Sequence, residues 1–254
     1  MSAGSIYVRT EGQTARITLA RPPLNVIDIE MMREISVGLA QVLPSAKILV
    51  FEGAGEHGFS SGGEIRDQTP ERVAEMVRAF HRIFRQLWKA DCVTIAAVHG
   101  QCLGSGCELA TFCDFVVADT SAQFGQPEIK HGFFPPVAMV TLPRLIGPRA
   151  ATDLILTGRT LNAGEALDVG LITRIVPKGG LAAGVSWLLS ELDALSPAVV
   201  RMSRRTLWRA TGFDFEAMLQ EIEDVYLDQL MKTKDAKEGV RAMIEKRAPV
   251  WEGR

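Results

Sequence analysis

The chain has 254 residues, 47% of them hydrophobic and 23% charged, with a formal net charge of −2. This composition is typical of a globular protein, and a chain of this length can bury a large core without disulfides. The charge lacks the basic excess of nucleic-acid-binding domains, and no stretch reaches the roughly 18 apolar residues of a membrane-spanning helix, so neither nucleic acid nor membrane is expected as a partner.

The N-terminus and the cysteines indicate the compartment. Residues 1–7 lack the basic segment and the apolar run of a secretory signal, so we expect a soluble cytoplasmic protein. Four cysteines are present, but they form no C-x-x-C pair. Because no cluster of histidines accompanies them, we expect small buried thiols in a reducing compartment and no metal site.

The first predicted elements are two strands, a helix and a buried strand. Ile6–Glu11 and Arg16–Ala20 alternate in the manner of strands joined by a turn. Asp28 can cap a helix that runs to about Leu43. The continuous apolar run Ile48–Phe51 is typical of a strand that is buried on both faces.

Two similar units follow. After a glycine-rich loop, Thr69 and Pro70 are predicted to cap and open a helix that runs to about Trp88. Val93–Val98 is a second buried strand, and a second glycine-rich loop and a short helix separate it from a strand at Phe115–Ala118. This rhythm of strand, crossover and strand predicts a mostly parallel sheet covered by helices.

The pattern changes after residue 181, where no clear strand remains. Four helices are predicted there, over residues 181–195, 197–210, 213–231 and 235–247. We therefore divide the chain into an α/β core, 1–195, and a helical C-terminal region, 196–254. Apolar residues lie on more than one face of that region, which fits packing on the core or contact between subunits.

Two glycine-rich loops, Phe59–Glu64 and Gly100–Glu108, are candidates for a binding site. Glycine allows backbone N–H groups to approach a ligand closely. If a helix begins near Ser105, its free N–H groups favour negative charge, and two N–H groups that converge on one oxygen would form an oxyanion hole. Such loops are also commonly plain turns, so this pattern alone leaves both interpretations open.

Two carboxylates, Glu108 and Glu128, stand next to apolar sequence. An unpaired carboxylate is costly to bury, and a close pair would share a proton and raise one pKa towards neutrality. Such a pair is suited to acid–base chemistry at pH 7. A single glutamate is more often a solvated surface residue, and the spacing does not decide between the two interpretations.

A competing motif is Gly58–Gly62, which matches the G-x-S-x-G nucleophile elbow of α/β-hydrolases and would make Ser60 a nucleophile. Those enzymes place an acid and then a histidine after the serine. The later histidines here are His81, His99 and His131, and none follows them. The order of residues therefore argues against a hydrolase.

Taken together, these segments resemble the enoyl-CoA hydratase/isomerase (crotonase) family. The similarity covers nearly the whole length and lies in Ala20–Asn25, Phe59–Ile65, Ala96–Cys113, Ala122–Glu128 and 238–247. The two glycine-rich loops followed by Gln-Pro-Glu, in this order and spacing, are its most specific part.

The resemblance implies an α/β fold, a crotonase-like spiral of ββα turns with a helical C-terminal region that mediates trimerisation. It implies a homotrimer or a dimer of trimers as the assembly and an acyl-CoA thioester as the substrate. It implies no cofactor, since coenzyme A enters as part of the substrate.

The resemblance also implies roles for single residues. In hydratases of this family two glutamates flank the substrate double bond and hold one water, and the matching residues here are Glu108 and Glu128. The oxyanion hole matches the backbone N–H groups of Gly63 and Ser105, although the second position is usually glycine. The presence of both glutamates favours hydration over the other reactions of the family, such as dehalogenation and decarboxylation.

The coenzyme A site is implied by residues around the first loop. Arg66 stands where a basic residue often meets the phosphates, and the backbone around Ser61 and Ile65 stands where the adenine is held. Glu64 departs from the family pattern, which usually has aspartate after the first oxyanion residue.

The largest departure follows Glu128, where residues 131–143 replace the glycine-rich segment of common hydratases. Together with Gly100–Gly104, this segment more closely resembles the cyclohexa-1,5-diene-1-carbonyl-CoA hydratases, although residues 66–70 are only partly similar. An apolar acyl pocket is then predicted from three residues of the segment: Phe133, Phe134 and Pro136. The alternative, that the segment only packs the core behind an ordinary pocket, stays open.

The predicted function is that of a hydro-lyase, which adds water reversibly across the conjugated double bond of an enoyl- or dienoyl-CoA. The nearest alternative is a double-bond isomerase that uses one glutamate to move a proton along the acyl chain. An alternative of another class is a non-catalytic acyl-CoA-binding protein. The two glutamates argue against it, because binding alone does not require them.

Overall fold

From its third strand onward the chain winds through strand–strand–helix turns, and the two strands of a turn belong to different sheets. The computed structural model describes residues 4–210, 212 and 214–253. The strands are β1 (Ile6–Glu11), β2 (Thr14–Leu19), β3 (Ile48–Gly53), β4 (Gly58–Ser60), β5 (Val93–Val98), β6 (Gln101–Leu103), β7 (Phe115–Asp119), β8 (Gln123–Gly125), β9 (Thr160–Asn162) and β10 (Arg174–Val176). The helices are α1 (Ile29–Val42), α2 (Val73–Lys89), α3 (Ser105–Thr111), α4 (Pro136–Leu145), α5 (Gly147–Thr157), α6 (Ala163–Asp168), α7 (Leu181–Asp193), α8 (Pro197–Ala210), α9 (Phe215–Asp228) and α10 (Lys234–Ile244). Short 3₁₀ turns lie at Ile65–Gln68, Pro127–His131 and Leu230–Lys232.

The two sheets are mostly parallel. The larger sheet has the order β1-β2-β3-β5-β7-β10, and its neighbours are parallel except for the antiparallel pair β1 and β2. The smaller sheet has the order β4-β6-β8-β9 and is parallel except for β8 and β9. The mostly parallel sheet and the crotonase-like ββα spiral that the sequence predicts are confirmed.

Strand β3 is buried on both faces, as its apolar run predicts. Leu49 and Phe51 belong to the main core, which also contains residues of α1 and α2. Ile48 and Val50 point to the other face and join a second cluster with Val185 of α7. Burying one such side chain typically stabilises a fold by about 1.5–3 kcal/mol, so both layers of helices are held to the sheet.

Helix α1 begins where the sequence predicts. The Asp28 side chain accepts a hydrogen bond from the N–H of Met31 at 2.9 Å and so caps the first turn. The glycine-rich loops, by contrast, contain the short strands β4 and β6, which their composition did not predict. Each has only three residues, too few for a recognisable alternation.

The predicted start of α2 at Pro70 is wrong, because the helix begins at Val73. Thr69 has an extended backbone, and its carbonyl accepts the N–H groups of both Arg72 and Val73, so residues 69–72 form a separate turn. The Arg72 side chain binds the buried carboxylate of Asp67 at 2.9 Å, which holds that turn against the preceding segment. This local ion pair holds residues 69–72 as a separate turn, and α2 begins three residues later than predicted.

The C-terminal region is helical, as predicted. Its predicted boundary at residues 195 and 196 falls in the link between α7 and α8. Residue 213, the predicted start of the next helix, lies outside the described residues, and α9 begins at Phe215 after the capping residue Asp214. Helix α9 packs on α2 and α4, while α10 packs on the turns Ile65–Gln68 and Pro127–His131. The tail therefore returns to the core.

All four cysteines are buried free thiols, as the sequence predicts. Burial raises the pKa of Cys92 to about 11, which keeps that thiol protonated at neutral pH. In the part of the chain that the structure describes, no helix combines the length and the apolar character needed to cross a membrane.

Candidate active site

The two glycine-rich loops lie against each other where the parallel neighbours β4 and β6 end. A Cβ built on Gly63 would lie 3.0 Å from the hydroxyl oxygen of Ser105, and one on Gly62 would lie 3.2 Å from the carbonyl oxygen of Leu103. Gly62 has a φ of +113°, a conformation that side chains disfavour. The structure therefore brings the two predicted oxyanion residues together.

The backbone N–H groups of these two residues are available to a ligand. Ser105 is the first residue of α3, and the first N–H groups of a helix have no partner inside it. The neighbouring N–H of Glu64 donates to the Ile27 carbonyl, but among the described residues no acceptor is found for the N–H of Gly63. Both N–H groups are thus free to donate to an anionic oxygen.

The carboxyl group of Glu128 lies against the second loop. A Cβ built on Gly104 would lie 2.6 Å from Glu128 Oε1, and Gly104 has a φ of +50°. Glu128 Oε2 is buried and has no hydrogen-bond partner among the described residues. Burial, together with the charge of Glu108, raises the pKa of Glu128 to about 8. The glycine is needed here both for its conformation and for the space that the carboxyl group occupies.

Glu108 lies one turn into α3 and is only 2% exposed. Its Oε1 accepts hydrogen bonds from the N–H groups of Val137 at 2.8 Å and Ala138 at 3.0 Å, in the first turn of α4. Burial raises the pKa of Glu108 to about 7, although these two bonds favour the charged form. The sequence did not predict this support from α4.

The two glutamates form an electrostatically coupled pair, since the charge of Glu108 contributes to the raised pKa of Glu128. Burial raises both pKa values, so each carboxyl group holds its proton more tightly than an exposed glutamate does. A buried pair with one acidic and one basic member can give a proton and take one at neutral pH. The effect of the Glu108 charge on the pKa of Glu128 is consistent with two neighbouring carboxyl groups.

The predicted coenzyme A residues lie in the first glycine-rich loop and in the 3₁₀ turn that follows it. Ile65 and Arg66 begin the 3₁₀ turn Ile65–Gln68, which Glu64 caps through the N–H of Arg66, and the Arg66 residue is exposed. The N–H of Ser61 already donates to the carbonyl of Leu24 at 2.9 Å.

The aromatic segment after Glu128, residues 131–143, contains both buried and partly exposed side chains. Phe133 is 3% exposed and belongs to the main core, whereas Phe134 and Pro136 keep part of their surface exposed. Pro136 opens α4, whose N–H groups hold Glu108. Of the three predicted pocket residues, Phe134 and Pro136 thus keep accessible surface, whereas Phe133 does not.

Ser60 serves the loop structure. Its hydroxyl is fully buried, donates to the Asn25 carbonyl at 2.8 Å and accepts from the N–H of Gly62 at 3.1 Å. A Cβ on Gly106 would also lie 2.6 Å from the Ser60 Cβ, so helix α3 packs tightly over it. A serine in this environment cannot reach a substrate carbonyl, which agrees with the argument against a hydrolase.

Two polar residues near the glutamates escaped prediction. The side-chain amide of Gln126, close to Glu128 in the chain, is buried with both of its polar atoms unpaired among the described residues. Tyr226 of α9 is 1% exposed, and its pKa is raised by burial and then by the charges of Glu128 and Glu108. Tyr226 falls within the helix predicted over residues 213–231, and nothing in its local sequence indicates that this helix returns to the glutamates.

Known proteins resemble the chain over nearly its entire length. The family model described as enoyl-CoA hydratase/isomerase matches residues 9–254. Cyclohexa-1,5-dienecarbonyl-CoA hydratase of Thauera aromatica is 32% identical over 251 residues, which cover 98% of this chain and 96% of that protein. The short-chain-enoyl-CoA hydratase of Clostridium acetobutylicum is 30% identical and is covered to 97%, as is this chain. Among solved structures, an enoyl-CoA hydratase from Mycobacterium avium subsp. paratuberculosis K-10 superposes with a TM-score of 0.87 at 26% identity, over 97% of this chain and 98% of that one.

Proposed function

The chain belongs to the enoyl-CoA hydratase/isomerase family as a crotonase-type enzyme, and from this premise we propose that it adds water reversibly across the conjugated double bond of an enoyl- or dienoyl-CoA thioester. The observation that carries the proposal is the pair Glu108 and Glu128. Both are buried beside two free backbone N–H groups, and both have pKa values raised into the neutral range. A binding protein has no need of such a pair.

The N–H groups of Gly63 and Ser105 bind the thioester carbonyl oxygen in this proposal. Hydrogen bonds to that oxygen polarise the conjugated double bond and stabilise the enolate-like transition state. Each donor of this kind is typically worth about 3 kcal/mol of transition-state stabilisation. The hydroxyl of Ser105 is not required for this role, because the backbone supplies the donor.

The two glutamates divide the proton transfers. Glu108 has the lower pKa and takes a proton from the water that attacks the carbon distal to the carbonyl. Glu128 retains its proton at pH 7 and gives it to the carbon next to the carbonyl. The scheme needs neither a metal nor a redox cofactor, since both proton transfers use carboxyl groups. Coenzyme A takes part only as the thioester of the substrate, held near Ser61, Ile65 and Arg66.

For the acyl group, we propose a cyclic conjugated diene such as cyclohexa-1,5-diene-1-carbonyl-CoA. Support comes from the similarity to the hydratase of Thauera aromatica and from the partly exposed Phe134 and Pro136, which directly precede the α4 residues that bind Glu108. A flat ring buries more apolar area than a short chain and loses fewer rotors on binding. Proline and phenylalanine also make this wall stiffer than a glycine-rich segment would.

The experiment that tests the function is a screen of unsaturated acyl-CoA thioesters, linear and cyclic, in isotopically labelled water. Hydration is expected to give a product heavier by one water molecule that carries the labelled oxygen. A product of unchanged mass with a moved double bond would identify an isomerase instead. Equal or higher kcat/KM for crotonyl-CoA than for the cyclic dienoyl-CoA would overturn the choice of acyl group and leave a general enoyl-CoA hydratase.

A further inference from the structure

Tyr226 joins the C-terminal region to the candidate active site. It lies on α9, is 1% exposed and is among the largest fully buried side chains. Its hydroxyl donates a hydrogen bond to Oε1 of Gln68 at 2.8 Å. Gln68 ends the 3₁₀ turn that begins with Ile65 and Arg66. The tyrosine is thus tied to the segment that carries the proposed coenzyme A residues.

The ring of Tyr226 also packs on the aromatic segment. It meets the ring of Phe134 edge-on, with centroids 5.1 Å apart and an angle of 89° between the planes. Phe134 keeps part of its surface exposed, whereas Tyr226 lies buried against it. Edge-on aromatic pairs prefer a defined geometry, so each ring restricts the other. Tyr226 therefore joins the turn that ends at Gln68 to the aromatic segment that contains Phe134.

Helix α9 is locked so that this ring points inward. Glu223, one turn before Tyr226, accepts a hydrogen bond from the buried ring of His81 at 2.5 Å and another from Arg85 at 2.8 Å. Both partners belong to α2. Residues three apart lie on the same face of a helix, so this anchor fixes the rotation of α9 that carries Tyr226 into the site.

The phenol of Tyr226 lies within electrostatic reach of both glutamates. Burial raises its pKa well above the ordinary range, and the charges of Glu128 and then Glu108 raise it further. The phenol therefore stays protonated at any working pH and keeps its bond to Gln68. In the proposed function the acyl group runs from Gly63 and Ser105 past the two glutamates, and Tyr226 lies close enough to both for their charges to raise its pKa.

We propose that Tyr226 is a specificity-determining residue that closes the far end of the acyl site. Its ring, held by Gln68 and set edge-on against Phe134, forms a fixed wall that admits short or ring-shaped acyl groups and excludes long linear ones. The proposal rests on the proposed function for the position of the acyl group, and it deepens that function by naming what limits the substrate.

The test measures binding of butanoyl-CoA and octanoyl-CoA, saturated thioesters that cannot be hydrated, by calorimetry on the full chain. The wild type is expected to bind octanoyl-CoA no more tightly than butanoyl-CoA. Tyr226→Ala is expected to raise the affinity for octanoyl-CoA relative to butanoyl-CoA by about 10-fold or more, since an opened apolar pocket gains from every added methylene. Tyr226→Leu, which leaves a smaller gap, is expected to shift the same ratio in the same direction and serves if the alanine variant does not fold.

Two variants are controls. Tyr226→Phe keeps the ring and is expected to leave the affinity ratio within about 3-fold of wild type. Phe215→Leu removes another buried aromatic of α9, one that packs on Trp88 and Phe112, and is expected to leave the ratio unchanged. A merely structural role for Tyr226 would instead give the alanine and leucine variants a lower melting temperature with the ratio of wild type.

The outcomes separate this proposal from the proposed function. If the wild type binds octanoyl-CoA about 10-fold more tightly than butanoyl-CoA, Tyr226 does not limit the acyl chain. That result overturns the proposal whatever the enzyme hydrates. A wild type that binds butanoyl-CoA and hydrates no unsaturated thioester overturns the hydratase function, while the affinity ratios still decide the role of Tyr226. Binding of neither thioester overturns both.

Discussion

Glu108 and Glu128 are the same residue type in different surroundings. Glu108 accepts two N–H groups from the first turn of α4, which favour its charged form. Glu128 has a buried Oε2 with no partner among the described residues and faces the charge of Glu108. The environment therefore makes Glu108 the stronger acid of the two and Glu128 the better proton donor at pH 7.

These pKa values predict the pH dependence of hydration. Activity requires Glu108 ionised and Glu128 protonated, so kcat/KM is expected to rise up to about pH 7 and to fall above about pH 8. The maximum lies between the two values, because only there is the required pair of states well populated. A value of kcat/KM that stays constant from pH 5 to pH 10, measured with the coupling enzyme in excess, would contradict the assigned roles.

Replacing either carboxyl group tests the same assignment directly. Glu108→Gln and Glu128→Gln are each expected to lower kcat by about 10²-fold or more, because an amide neither takes nor gives a proton. Affinity for butanoyl-CoA and the circular dichroism spectrum serve as controls and are expected to stay near those of wild type. Near-full hydratase activity in both variants would show that the chemistry lies elsewhere.

Gly104 is the residue whose replacement should displace Glu128. Gly104→Ala would place a methyl group 2.6 Å from Glu128 Oε1 and strain a backbone at φ +50°, so kcat is expected to fall by about 10-fold or more. Gly12→Ala is the matched control, since Gly12 has a φ of +61° and nothing within 4 Å of an added Cβ. Both variants lose stability through strain, and equal loss of activity in both would argue against a steric effect on Glu128.

At the scale of the elements, the sequence predicts what local patterns determine. The apolar run of β3, the Asp28 cap of α1 and the helix after Gly104 all follow from a few neighbouring residues, and each is observed. The glycines of the two glycine-rich loops lie where these loops touch, and an added Cβ at several of them would clash with the neighbouring loop. The resemblance to a family then supplied the order in which these elements wind.

Contacts between distant segments were not predictable from local pattern. The support of Glu108 depends on where α4 begins, since its partner Val137 lies 29 residues further along the chain. Tyr226 reaches the site only because Glu223 anchors α9 to α2. Each of these interactions joins residues whose proximity is set by the tertiary fold, so periodicity and propensity carry no signal of them.

The packing of α10 on the turn after Glu128 gives a prediction for a whole element. A Cβ built on Gly239 would lie 1.9 Å from the His131 carbonyl oxygen, so Gly239→Ala must push α10 away from Pro127–His131. A loss of about 1–3 kcal/mol in the free energy of unfolding is expected, together with a lower kcat because Glu128 lies in that turn. Gly164→Ala, in the first turn of α6, meets only the Asn162 side chain at 3.2 Å and serves as the control for denaturant unfolding.

At the scale of the molecule, the C-terminal region completes the site of its own chain. Helix α9 contributes Tyr226, which binds Gln68, and α10 packs on the turn Ile65–Gln68 and on the turn that contains Glu128. The chain beyond α10 folds back as well, since the N–H groups of Glu252 and Gly253 donate to Asp235 at its first turn. Truncating this region would thus remove the contacts that hold these two turns and part of the proposed acyl site.

Helix α8 leaves apolar side chains uncovered, which bears on the predicted trimer or dimer of trimers. Val199, Met202 and Leu207 are 60%, 69% and 70% exposed, and an exposed apolar patch of this kind commonly marks contact between subunits.

We expect the wild type to elute as a trimer or hexamer in size-exclusion chromatography with light scattering. Replacing Met202 and Leu207 together by glutamate is expected to shift the mass towards the monomer, since charges buried without partners oppose association. Val37→Glu, at a residue of α1 that is 58% exposed, is the control and should keep the assembly of wild type. A monomeric wild type, or a double variant with an unchanged mass, would exclude α8 as the contact.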